Sequence, residues 1–186
     1  MSHPLFIEHT HEPIYRVVRC GTTDPLDASH SRRRLADGRW NNPDFTALYC
    51  CCSEWVARAV ALEKFRLAGV DLSDLPPDMR PQLVELSWSG TVVDLTSPEA
   101  LAAAGFAPQY PDGVRKEHTR RAALEWSSAG AMGIVFRSAS LLRRGFSNWV
   151  GPHQRWSELV IFPDNCQNNP PRSTRRREDL KWLSGP

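Results

Sequence analysis

Three groups suited to holding a charged nucleotide fall within one short stretch of this 186-residue chain: Arg39 in Gly38-Arg39-Trp40-Asn41-Asn42-Pro43, the aromatic Tyr49, and the carboxylate of Glu63. A guanidinium grips phosphate bidentately and stays charged at any working pH. Glu63 is the odd member. Ser53 to Gly69 reads as a helix, with Ser53 suited to cap its start and Gly69 its end. At helical spacing Val56, Ala59, Val60, Glu63 and Leu67 share one sector, whereas Glu54, Arg58, Lys64 and Arg66 lie outside it. Glu63 therefore faces the core. A carboxylate there is costly unless compensated, so it is either paired structurally with an arginine or kept charged for chemistry.

The elements that must position these groups follow from periodicity. Ile14 to Val18 alternates as a first strand, with Ile14, Arg16 and Val18 on one face. A long loop over Gly21 to Asp37 leads into Gly38-Arg39-Trp40, and loops of that length are often functional. Ala47 to Cys51 is a second strand, followed by the Glu63 helix. Leu83 to Trp88 and Thr91 to Leu95 read as two strands of a hairpin through Ser89-Gly90. Thr96-Ser97-Pro98-Glu99 has capping-box spacing for a helix ending near Gly105, and Arg120 to Ala129 is a further helix. Gly133 to Arg137 is a buried strand running into Ser138, and Glu158 to Phe162 is the last strand. No internal repeat is present.

Length allows one well-buried core and is short for two domains. A flexible segment is expected over 1–13, the domain proper over 14–163, and a basic tail over 164–186 whose Leu180, Trp182 and Leu183 are suited to docking back. Hydrophobic content of 41% and charged content of 24% are those of a globular protein. A net charge of +2 from 23 basic and 21 acidic residues creates no large positive field, so direct nucleic-acid or membrane binding is not expected. Arg32-Arg33-Arg34 and Arg172 to Arg177 read as a solvated loop and tail. With neither a leader-like N-terminus nor a membrane-length apolar run, the expected location is cytoplasmic. Cys20, Cys50, Cys51, Cys52 and Cys166 fit neither a disulfide framework nor a zinc site, and the consecutive triplet must split between two strand faces. The six histidines show no ligand spacing, so no metal is expected, and a dinucleotide-binding GxGxxG and a P-loop are both absent.

The order Tyr15-Arg16, Gly38 to Asn41, Tyr49, a helix with Glu63, Val93 to Ala100, Leu124 to Ser140 and Asn148 to His153 resembles the RES-domain family. That resemblance implies a single compact α+β domain similar to the NAD-binding core of ADP-ribosyltransferases. It implies a toxin that degrades NAD and is neutralised by an Xre-family helix-turn-helix antitoxin, with a homodimer also implied. The family's arginine, glutamate and serine fall on Arg39, Glu63 and Ser138, and Arg16, Tyr49, Trp40 and Asn148 fall on its NAD-binding positions. Phe136-Arg137 and Gly151-Pro152 depart from the usual pattern. NAD enters as substrate rather than cofactor, with inorganic phosphate as a candidate co-substrate.

The chemistry so implied suits these residue types. Nicotinamide leaves as a neutral molecule, so no acid is needed, and the difficulty is the oxocarbenium-like cation left on the ribose. Glu63 would stabilise that cation, Arg39 and Arg16 would hold the pyrophosphate or ribose, Tyr49 would stack on the nicotinamide, and Ser138 would orient substrate or Glu63. Water, phosphate or a macromolecule could accept the ADP-ribosyl group, the last making the protein an ADP-ribosyltransferase. The alternative is a non-catalytic binding protein in which Arg39 or Arg16 pairs structurally with Glu63. Taken singly each residue favours that plain reading, and only the ordered set reverses the odds.

Overall fold

The computed structural model describes residues 3–10, 13–35, 38–143, 156–177 and Leu183. Its centre is one mixed sheet of eight strands: β1 (Phe6–His9), β2 (Ile14–Arg19), β3 (Leu48–Cys51), β4 (Pro81–Ser87), β5 (Gly90–Leu95), β6 (Gly133–Arg137), β7 (Ser157–Ile161) and β8 (Arg172–Arg177). The spatial order is β1-β5-β6-β7-β3-β2-β4-β8. Only β5 and β6 run parallel, as expected for strands joined by a helical crossover, here α2 (Pro98–Ala103) and α3 (Lys116–Ser128). The other helices are α1 (Glu54–Ala68) and the single turn α4 (Ala139–Leu142). The α+β class and the single domain agree with the sequence reading.

Local signals set the helix ends. Ser53 Oγ accepts from the Val56 N–H at 3.3 Å, and Gly69 closes α1 in the left-handed region at φ 65°. Ser97 Oγ caps α2 by accepting from the Ala100 N–H at 3.1 Å. Leu67 departs from the expected buried sector. It is 63% exposed, because the packed face of α1 ends at Glu63.

Strand alternation divides the core in two. On one face Val93, Leu95, Ile134, Phe136 and Val160 pack beneath α2 and α3 around Trp40, while Tyr15, Val17, Cys51 and Leu83 pack beneath α1 and α4. The opposite face gathers Ile14, Leu48, Cys50, Cys52, Val84, Val92, Val135 and Leu159. The cysteine triplet splits as its alternation requires, Cys51 on the first face and its neighbours on the second.

Three expectations are corrected. Strands β4 and β5 do not form a hairpin, since β4 pairs with β2 and β8 while β5 pairs with β1 and β6. Five strand spacings separate them along the sheet, about 24 Å if it were flat. The link from Ser87 to Gly90 can span only about 11 Å. The sheet is therefore rolled, and the chain crosses from one side of the roll to the other at Trp88, which is buried. Second, Phe6–His9 of the N-terminal segment is a strand, in register with Gly90–Val93. Third, Arg172–Arg177 of the basic tail, though mostly exposed, forms edge strand β8 on β4, whereas Leu183 is buried against the α1 cluster in agreement with the expectation that it docks back. Leu180 and Trp182 lie outside the described residues.

Candidate active site

The seam between the α2/α3 and α1/α4 halves of the first face gathers most of the chemistry-bearing residues. Arg39 leaves the loop before β3 half-buried. Its Nη1 donates to the Pro111 carbonyl at 2.8 Å, its Cζ lies 5.5 Å from the centre of the Tyr110 ring, and its own carbonyl accepts from Thr119 Oγ1 at 2.6 Å. The next residue, Trp40, has no exposed surface and sits among Phe106, Tyr110, Trp126 and Phe136. Its indole is thus a core element, and it serves the site through its backbone N–H, which donates to Tyr49 Oη at 2.9 Å. Gly38 is required by this approach, because a Cβ there would run into Tyr49 Oη and Asn41 Oδ1. Burial holds the Tyr49 phenol well above its usual range, so it is a neutral donor at any physiological pH.

Glu63 is 4% exposed on α1, facing inward as its spacing requires. Its partners are neither Arg39 nor Arg16. Arg66 grips it with two bonds, Nε to Oε2 at 2.9 Å and Nη2 to Oε1 at 3.0 Å, and Arg143, just past α4, approaches Oε1 at 3.4 Å. These hydrogen bonds, Arg66 foremost, outweigh burial and hold the carboxyl at about 2, so it is ionised. Both arginines are more than half exposed, at 65% and 51% of their side chains. Each can therefore turn into water and release a carboxylate oxygen.

Ser138 is buried where β6 ends, and its Oγ donates to Glu158 Oε1 at 2.8 Å. Glu158, on β7 opposite Cys51 of β3 and Phe136 of β6, is the residue that the sequence reading missed. The signal was available: in Glu158-Leu159-Val160-Ile161-Phe162, period two puts Glu158 on the same face as Val160 and Phe162, a carboxylate in an apolar row like Glu63. Burial pushes its carboxyl upward, opposed by the Ser138 bond and by the charges of Arg39 and Arg143. Arg143 thus acts on both carboxylates.

Arg16 is not brought to this seam. It lies on the opposite sheet face beside Cys50, where its guanidinium donates to the carbonyls of Tyr49 at 3.3 Å and Asp27 at 3.1 Å. It braces the strand that carries Tyr49 from behind. Its neighbour Tyr15 faces the seam side and packs with the α1 cluster. Asn148 lies outside the described residues. A surface hollow near Arg32, Asp44, Leu124 and Asp164 contains none of these groups. Among the described residues no three His, Cys, Asp or Glu side chains converge as metal ligands, and no helix is long and apolar enough to cross a membrane.

The fold and site define an α+β domain built on a rolled sheet, with Tyr49, Ser138 and Glu158 on or at the end of its strands, Arg39 on the loop before β3 and Glu63 on α1. The chain belongs to the RES domain family, which it matches over residues 13–182. In structure it is similar to a chain of the M. tuberculosis MbcT–MbcA toxin–antitoxin complex, with a TM-score of 0.69 at 18% identity, covering 89% of this chain and 82% of that one. No curated protein matches its sequence.

Proposed function

We propose that the protein cleaves the nicotinamide–ribose bond of NAD and acts as the toxin of a toxin–antitoxin pair. The observation that carries this reading is Glu63: a buried carboxylate kept ionised by arginines that are themselves largely in water. A fixed negative charge with displaceable partners is what stabilising a ribosyl cation requires. Arg39 would engage the pyrophosphate, Tyr49 the nicotinamide end, and Ser138 would act through a hydrogen bond. The reading draws further support from RES-domain membership and from the likeness in fold to a chain of a toxin–antitoxin complex. An antitoxin of the Xre helix-turn-helix type would be the partner that covers the seam.

The test is nicotinamide release from NAD by the purified protein and by Glu63→Gln, with and without inorganic phosphate, and with the ADP-ribosyl product identified. The parent should release nicotinamide, and Glu63→Gln should slow it about 100-fold or more while staying folded. ADP-ribose as product names water as acceptor, a phosphorylated ADP-ribose names phosphate, and label on a macromolecule names transfer. A folded parent chain that releases no nicotinamide under any of these conditions refutes the reading.

A further inference from the structure

Glu158 is a carboxylate in an otherwise uncharged row. The other inward positions around it on β3, β6 and β7 are Tyr49, Cys51, Ile134, Phe136 and Val160, and no cation among the described residues comes within ion-pair distance of it. A carboxylate in such a row disfavours the fold unless something uses it. Its surroundings are nonetheless ordered. Ser138 Oγ donates to Oε1 at 2.8 Å, the Ala139 N–H adds a second bond, and Arg39 and Arg143 contribute positive charge from the β3 approach and the end of α4. Tyr49 and Cys51 of β3 and Tyr110 beyond α2 complete the groups that face it, and Glu63 of α1 lies beyond Arg143.

We propose that Glu158 is the second carboxylate of the site, the base that takes the proton of the O–H nucleophile attacking the ribose, with Ser138 as the residue that positions it. This rests on the NAD-cleavage reading above. The two carboxylates have environments that differ in kind, Glu63 bonded to three guanidinium nitrogens and Glu158 held mainly by neutral donors, which is how one site divides two roles. An acid has nothing to do here, because nicotinamide departs neutral. The C1′–N bond breaks with both electrons passing to the nicotinamide ring nitrogen. The nucleophile's oxygen bonds C1′, and its proton passes to Glu158 and then to solvent. The nucleophile is water or the monoanion of phosphate, and each carries the proton that this base removes.

The assignment is tested by the pH dependence of nicotinamide release from NAD, with and without inorganic phosphate, in the parent, Glu158→Gln and Ser138→Ala. A base must be unprotonated, so the parent rate should fall on the acid side with an apparent pKa above the ordinary carboxylate value. Glu158→Gln should lower kcat about 100-fold or more, leave KM within a few-fold, and abolish that acid limb. Ser138→Ala removes a bond to the charged form, so its acid limb should move to higher pH. Azide has no proton to lose, so it should restore turnover to Glu158→Ala and not to Glu63→Gln. Product identity separates water from phosphate. A parent that cleaves NAD while Glu158→Gln keeps its kcat and acid limb overturns the base assignment alone. If Glu158→Gln fails to fold, an unshifted limb in Ser138→Ala overturns it equally. A folded parent with no turnover at any pH overturns the NAD reading and this assignment together.

Discussion

Trp40 is where the core and the site are joined, and its replacement tests that union quantitatively. The ring is fully buried, with four aromatic rings at centroid distances of 5.5 to 6.3 Å. Trp40→Ala loses the transfer free energy of the indole and leaves a cavity that rings anchored on three separate elements cannot collapse to fill. Such truncations cost about 3–5 kcal/mol, and full burial puts this one near the top, at about 4–5 kcal/mol. For a chain of this length that lowers Tm by about 8–20 °C. Trp40→Phe behaves differently. The indole Nε1 has no hydrogen-bond partner among the described residues, so phenylalanine removes an unsatisfied donor while losing part of the packing. Relief of about 1–3 kcal/mol offsets most of that loss, leaving Trp40→Phe within about 1.5 kcal/mol of the parent. Urea unfolding followed by circular dichroism measures both. An alanine variant within about 1 kcal/mol of the parent, or a phenylalanine variant as costly as alanine, would show that the aromatic cluster is not what holds Arg39 and Tyr49 in place.

Gly38→Ala should destabilise by about 1–3 kcal/mol, because its Cβ meets the pinned Tyr49 hydroxyl; an unchanged Tm and unchanged Tyr49 environment by NMR would contradict this. Glu63 is lowered from the ordinary 4.5 to about 2, so its contribution to stability is complete above about 4.5 and is lost as pH falls toward 2. Melting curves in that window should slope less steeply for Glu63→Gln than for the parent, and parallel slopes would remove Glu63 from the account. Burial holds the Cys50 thiol near 12 and Cys166 near 11, and pushes Cys51 and Cys52 up as well, while Cys20 is partly exposed. Ellman's reagent should therefore modify one thiol quickly in the native protein, and rapid reaction of two or more would refute the burial of the triplet.

Signals confined to a few residues were legible in the sequence. Ser53, Gly69 and the 3.6-residue spacing gave α1 with its ends and the inward carboxylate, and alternation alone divided the three consecutive cysteines. What depended on the roll of the sheet was not legible. Strands β4 and β5 are adjacent in sequence with a turn-forming Ser89-Gly90 between them, and nothing local says that each pairs elsewhere. The same holds for the partner of Glu63. Arg66 was set outside its sector by helical phase, yet a long side chain three residues on reaches back to it, and Arg143 arrives from a distant element. Arg16 and Tyr49 looked equivalent as strand residues, and only the sheet register put them on opposite faces.

Strand β3 is four residues long and meets β2 at a single register pair, Tyr15 with Cys51, whereas it pairs with β7 over its whole length. The strand that presents Tyr49 to the seam is therefore secured chiefly by one synthesised more than a hundred residues later. A chain still emerging from the ribosome carries Arg39, Tyr49 and Glu63 without the scaffold that faces them toward Ser138 and Glu158. A product terminated before β7 lacks both the strand that β3 pairs with over its whole length and the residue Glu158 itself.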